Sequence, residues 1–135
     1  MNKRQREDDR IDKIIEVLQD KKALDISLMD LRGVTDAVDY FILCTCTSEL
    51  HVKGLVKDLI GVLKAADHRP WHVEGTNSNR WVLVDYVDLV VHIFRREARE
   101  FYSLERLWGD AQITCFAETE PAEEVVGEFI LPQSQ

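Results

Sequence analysis

Residues 80–94 read Arg-Trp-Val-Leu-Val-Asp-Tyr-Val-Asp-Leu-Val-Val-His-Ile-Phe, a run of β-branched, aromatic and aliphatic side chains with no helical period. Such residues fit a pleated, buried surface. The run exceeds the length of an ordinary strand, and its polar break lies at Asp85 and Asp88. The spacing therefore predicts two antiparallel strands joined tightly across residues 85–88. A hairpin this apolar has to be buried by other elements, which limits the chain to layered architectures.

The covering elements are visible as helical stripes. Ile11, Ile14, Ile15 and Leu18 fall at i, i+3, i+4 and i+7, which predicts a helix over residues 8–23. Val52, Leu55, Val56, Leu59, Leu63 and Ala66 trace a second stripe behind Ser48 as N-cap, ending near His68 before Arg69-Pro70, because the residue before proline is pushed out of the helical region. Strands are expected over 25–31, 39–45 and 71–74. The near-continuous Tyr40-Phe41-Ile42-Leu43 suggests burial on both faces. A closing helix over 96–108 would carry Phe101, Leu104 and Trp108 on one face, with Gly109 as its C-cap. The predicted class is α/β of the α+β type: a mixed central β-sheet packed by helices.

At 135 residues the chain suits one domain, read as 1–111. Residues 112–135, without Lys or Arg but with Glu118, Glu120, Glu123, Glu124 and Glu128, read as an acidic, mobile tail. The net charge of −8 opposes phosphate binding and favours a basic protein partner over any dominant nucleic-acid contact. Three cysteines are too few for a secreted disulfide framework. With no apolar run of membrane-spanning length and no signal-like start, a cytoplasmic protein with no membrane partner is expected.

Few residues suggest chemistry. Cys44-x-Cys46 lacks the second pair that structural zinc sites show, and reads as two buried apolar groups. Asp85, Asp88 and His92 could bind a cation or transfer protons. Their plainer reading is two turn-capping carboxylates and a satisfied, half-buried imidazole. Phosphate-loop, dinucleotide and nucleophile-elbow motifs are absent from the sequence, so neither catalysis nor a cofactor is expected. What stands out is aromatic density at polar breaks, in Trp71, Trp81, Tyr86, Tyr102 and Trp108. Tyr and Trp anchor protein interfaces because they bury large area while keeping a polar handle. Trp108 reads as mainly structural; of Trp81, Tyr86 and Tyr102, at least two are expected at an interface.

Several blocks in order, Asp39-Tyr40-Phe41-Ile42, Thr47-Ser48 with His51-Val52, Val73-Glu74-Gly75, Trp81 to Tyr86, Asp88 to Phe94, and Arg99-Glu100-Phe101-Tyr102-Ser103-Leu104-Glu105-Arg106-Leu107-Trp108-Gly109-Asp110-Ala111, resemble the ribosomal silencing factor family RsfS, also called Iojap. The resemblance implies a fold similar to that of nucleotidyltransferases and a non-catalytic translational repressor. It would bind large-subunit ribosomal protein fourteen and block subunit joining when nutrients are scarce. By the same resemblance the contact surface would hold Trp81, Tyr86 and Tyr102, with Glu74, Asp85 and Asp88 as acidic help. Regular alternation puts Trp81 and Tyr86 on opposite faces, so either a bulge re-aims one or one belongs to the core. The family often has glycine where this chain has Cys46 and Val87, so its loops are expected to bend differently there. A metal-dependent nucleotidyltransferase, a large-subunit assembly factor and a homodimer are the alternatives. The first lacks an Asp-x-Asp and a glycine-serine turn.

Overall fold

A computed structural model describes residues 8–118. The first stripe forms α1 (Asp9–Asp20), burying Ile14, Ile15, Val17 and Leu18. It stops before residue 23 because Lys22 turns left-handed at φ 61° and the Ala23 N–H bonds Leu18 O at 2.9 Å, satisfying a carbonyl the helix end leaves open. The chain continues through β1 (Leu24–Asp30), β2 (Tyr40–Cys46) and α2 (Glu49–Ala65). Ser48 caps α2 as expected, its hydroxyl accepting from the His51 N–H at 3.0 Å. Then come β3 (His72–Glu74), β4 (Trp81–Asp85) and β5 (Leu89–Arg95), α3 (Arg96–Tyr102), α4 (Leu104–Leu107) and β6 (Gln112–Cys115).

The six strands form one mixed sheet in the order β3-β4-β5-β2-β1-β6. β4 and β5 are the expected antiparallel hairpin, whereas β2 and β5 run parallel at the centre. Alternation assigns the faces. On one, Val82, Val84, Tyr86, Val91, Ile93, Tyr40, Ile42, Cys44 and Cys46 pack with the apolar stripes of α1 and α2. On the other, Leu43, Val90 and Phe94 meet Ala98 of α3 and Leu104 of α4, with Phe41, Trp81, Leu83 and Trp108 at the edge of the cluster. Both cysteines of β2 are buried as small apolar groups; a hydrogen bond with Cys46 and burial push the Cys44 thiol up.

Two sequence expectations give way. The closing helix is broken at Ser103, in left-handed conformation at φ 46° and ψ 61°, so Phe101 and Leu104 do not share a buried stripe: Phe101 is 80% exposed and Leu104 7%. The domain also does not end at residue 111. β6 pairs antiparallel with β1, Gln112 opposite Asp30 through Cys115 opposite Ser27, and Phe116 packs on the core. The strand escapes sequence patterning because all four residues are exposed; backbone pairing, not side-chain burial, holds it. The remainder of the acidic segment, from residue 119, lies outside the described residues.

A candidate partner-binding face

The alternation of β4 sends Val82 and Val84 to the α1/α2 side, fully buried, and leaves Trp81, Leu83 and Asp85 half-buried on the other. β3 adds Glu74 opposite Leu83 and His72 opposite Asp85, and directly opposed residues share a face. Trp81 stacks on Phe94, ring centroids 5.1 Å apart, and meets Tyr102 at 4.5 Å; Phe101 stands edge-on to Tyr102 at 5.0 Å. Tyr102 is 48% exposed and Leu107 70%. The short helices α3 and α4 thus cover only part of this sheet face, leaving a rim of aromatic side chains beside two carboxylates.

Behind the rim lies His92. The Trp81 indole Nε1–H donates to His92 Nδ1 at 3.0 Å; since an indole nitrogen only donates, Nδ1 is the acceptor and the neutral ring carries its proton on Nε2. That nitrogen has no hydrogen-bond partner among the described residues, and Phe41 stands edge-on to the ring at 4.4 Å. Burial drives the His92 pKa down to about 3. The imidazole is neither half-buried nor fully satisfied, as its sequence position suggested; it is a buried acceptor that fixes the Trp81 ring.

Of the six residues singled out as contacts, this face brings together Trp81, Tyr102, Glu74 and Asp85. Tyr86 is a correction: 5% exposed, it packs in the α1/α2 core, the outcome that regular alternation required without a bulge. Its hydroxyl is buried without a partner among the described residues, and burial raises its pKa to about 12. Asp88 is drawn away as well, by Arg10 at 3.0 Å. Asp85 keeps the capping role foreseen for it, one oxygen accepting from the Val87 N–H at 2.7 Å. Phe101, which the unbroken helical stripe placed on the buried face, and Leu107 are additions, both exposed.

At Val87, where the resemblance implied glycine, φ is 80°. Contrary to the expectation of a differently bent loop, the turn keeps a backbone that suits glycine and places a β-branched residue on it. Cys46, by contrast, sits in β2 and is absent from the positive-φ positions. The Thr47-Ser48-x-x-His51 block is a structural latch: His51 Nδ1 accepts from the Thr47 N–H at 3.1 Å, which leaves Nε2–H to donate to Lys21 O at 2.7 Å. Among the described residues no group of three or more His, Cys, Asp or Glu side chains is placed to hold a metal ion, and no helix is long and apolar enough to cross a membrane.

The profile of the family described as "Ribosomal silencing factor during starvation" matches residues 4–128. The chain belongs to the ribosomal silencing factor family. It is 37% identical over 94 residues to ribosomal silencing factor RsfS of Bacillus subtilis, covering 70% of this chain and 80% of that protein. To RsfS of Haemophilus influenzae it is 39% identical over 95 residues, 70% and 93% of the two chains. A mouse relative, named mitochondrial assembly of ribosomal large subunit protein 1, is 30% identical over 125 residues, 87% of this chain and 55% of its own. The fold is similar to a crystal structure of a Chromobacterium violaceum protein, TM-score 0.72 and 33% identity, over 84% of this chain and 88% of that one. The family match runs past residue 111, in keeping with β6 as part of the domain.

Proposed function

We propose that this RsfS-family chain silences translation by binding the large ribosomal subunit in the cytoplasm through large-subunit ribosomal protein fourteen, so that the small subunit cannot join, above all when nutrients are limiting. The single observation that carries the site is the half-covered sheet face: Trp81, Tyr102 and Phe101 in mutual contact, with Glu74 and Asp85 on the same face. Aromatic anchors that are rigid before binding lose little entropy on docking. A chain of net charge −8 is steered towards a basic ribosomal protein, which raises the association rate, while the buried aromatics set the dissociation rate. Occlusion needs no chemistry.

Co-sedimentation of the full chain with isolated large subunits, small subunits and joined ribosomes tests the reading. Binding to large subunits is expected, with Trp81→Ala and Tyr102→Ala each losing about 2 kcal/mol or more, roughly thirtyfold, while Tyr86→Phe binds as the wild type does. Failure of the wild type to bind large subunits, or undiminished binding by folded Trp81→Ala, overturns it. The mouse relative's name favours a second reading, a role in large-subunit assembly. Accumulation of large-subunit precursors on depletion of the protein would support that reading over silencing.

A further inference from the structure

Arg99 bonds to four residues on three other elements. Its Nε and Nη2 donate to Glu105 Oε2 at 3.0 and 2.7 Å. Nη1 donates to the Asp25 carbonyl at 2.8 Å and to Thr45 Oγ1 at 3.0 Å, and Nη2 reaches Ser27 Oγ at 3.5 Å. A guanidinium has five N–H donors in a fixed plane, and every one is used. The side chain is 13% exposed. It joins α3 to α4 across the left-handed Ser103, and both helices to β1 and β2.

The two helices it joins cannot hold their own geometry. α3 has seven residues and α4 four, too short to be stable helices alone. The angle between them hangs on one residue at φ 46°. On the sheet side, Asp25 sits at φ 49° where the β1–β2 register shifts, and its carbonyl accepts from Arg99. The elbow so clamped is the element that carries Phe101 and Tyr102 to Trp81.

We infer that Arg99, through Glu105, is the positioning residue of the partner-binding face: it locks the α3–α4 elbow so that Tyr102 and Phe101 are presented against Trp81 before the partner arrives. The inference rests on the reading that this face docks on the large subunit. The guanidinium touches no partner; it acts by sparing the aromatics the ordering that docking would otherwise demand. Thr45 and Glu105 separate this role from plain stability, because Thr45 anchors the clamp in the sheet while Glu105 sets the elbow.

The test uses full-length wild type and the variants Arg99→Met, Glu105→Gln and Thr45→Val, each checked as folded by far-ultraviolet circular dichroism. Two quantities are measured: affinity for large subunits by co-sedimentation, and, in the free protein, the NMR resonance of the Trp81 indole N–H, assigned with Trp81→Phe, which senses the Tyr102 ring. Arg99→Met and Glu105→Gln are expected to weaken binding at least tenfold and to shift that resonance. Thr45→Val lowers thermal stability but binds within about twofold of wild type. Wild-type affinity in both Arg99→Met and Glu105→Gln, with the resonance unmoved, overturns the inference and leaves Arg99 a structural staple. Should Arg99→Met fail to fold, Glu105→Gln decides by the same criteria. If the wild type does not bind large subunits, the docking reading fails, and an unmoved indole resonance would then overturn the elbow lock separately.

Discussion

Replacing Val87 with glycine should stabilise this protein. Val87 is the middle residue of the three-residue connection Tyr86-Val87-Asp88 between β4 and β5, across which the Tyr86 N–H bonds Leu89 O at 2.8 Å. Its φ of 80° lies in the positive region that glycine enters without steric cost and a β-branched residue does not. The Asp88 N–H bonds Tyr86 O at 3.1 Å and Asp85 holds the Val87 N–H, so the turn is held in place around a strained residue. A β-branched residue in this region costs roughly 2 kcal/mol. Against that gain stand the extra unfolded-chain freedom of glycine, about 0.7 kcal/mol, and the lost burial of a side chain that is 63% exposed, about 0.5 kcal/mol. The net is about 1 kcal/mol of stabilisation, or roughly 4 °C in Tm for a domain of this size. Urea melts should show a higher midpoint at unchanged m-value. Val87→Ala keeps a Cβ, and with it most of the strain, so its gain should be smaller. A glycine variant no more stable than wild type, or an alanine variant equally stabilised, would refute the strain argument.

Three other perturbations follow from the same geometry. His92 has a pKa of about 3 in the fold and about 6.5 when unfolded, so the unfolded chain takes up the proton first. Its contribution is full above about pH 6.5 and is lost as pH falls towards 3, at up to about 1.4 kcal/mol per unit; His92→Gln, which keeps an acceptor for Trp81, should flatten that slope in melts across the window. Tyr86→Phe removes a hydroxyl without a partner among the described residues, and chemical denaturation should find it unchanged or up to about 1 kcal/mol more stable, whereas Tyr86→Ala should lose about 3 kcal/mol or more. Gly75→Ala would place a Cβ 2.0 Å from the Trp81 carbonyl oxygen at φ 91°, and thermal melts should show a loss of about 2 kcal/mol or more.

The parts of the fold legible in the sequence are those written in side-chain periodicity. The stripes of α1 and α2, the Ser48 cap and the break between β4 and β5 are local signals, and most of the stripe residues are buried as the period requires. Alternation also posed the question of Trp81 against Tyr86 correctly; only the packing of α1 and α2 decides that Tyr86 lies inside. What was hidden depends on partners distant in the chain. Ser103 breaks a regular apolar stripe because Arg99 and Glu105 bind across it, and serine announces no left-handed turn. β6 has no apolar pattern to read, being held by backbone bonds to β1. The contact face combined both cases: Trp81 and Tyr102 were visible as aromatics, while Phe101 was hidden in a stripe that does not exist.

The parallel seam between β2 and β5 also sets an order in time. Tyr40 pairs with Leu89, roughly fifty residues later, and contacts that distant form slowly because a long loop has to close first. β1 and β2 are neighbours in the chain and can pair early. During synthesis, then, the apolar strand Tyr40–Cys46 keeps one edge bare until β5 has been made, an interval in which a nascent chain is open to mispairing with other strands. When β5 arrives it pairs with β2 on one side and β4 on the other. A single strand thus closes the sheet in both directions, and chains cut short before residue 95 would be left with the sticky edge exposed.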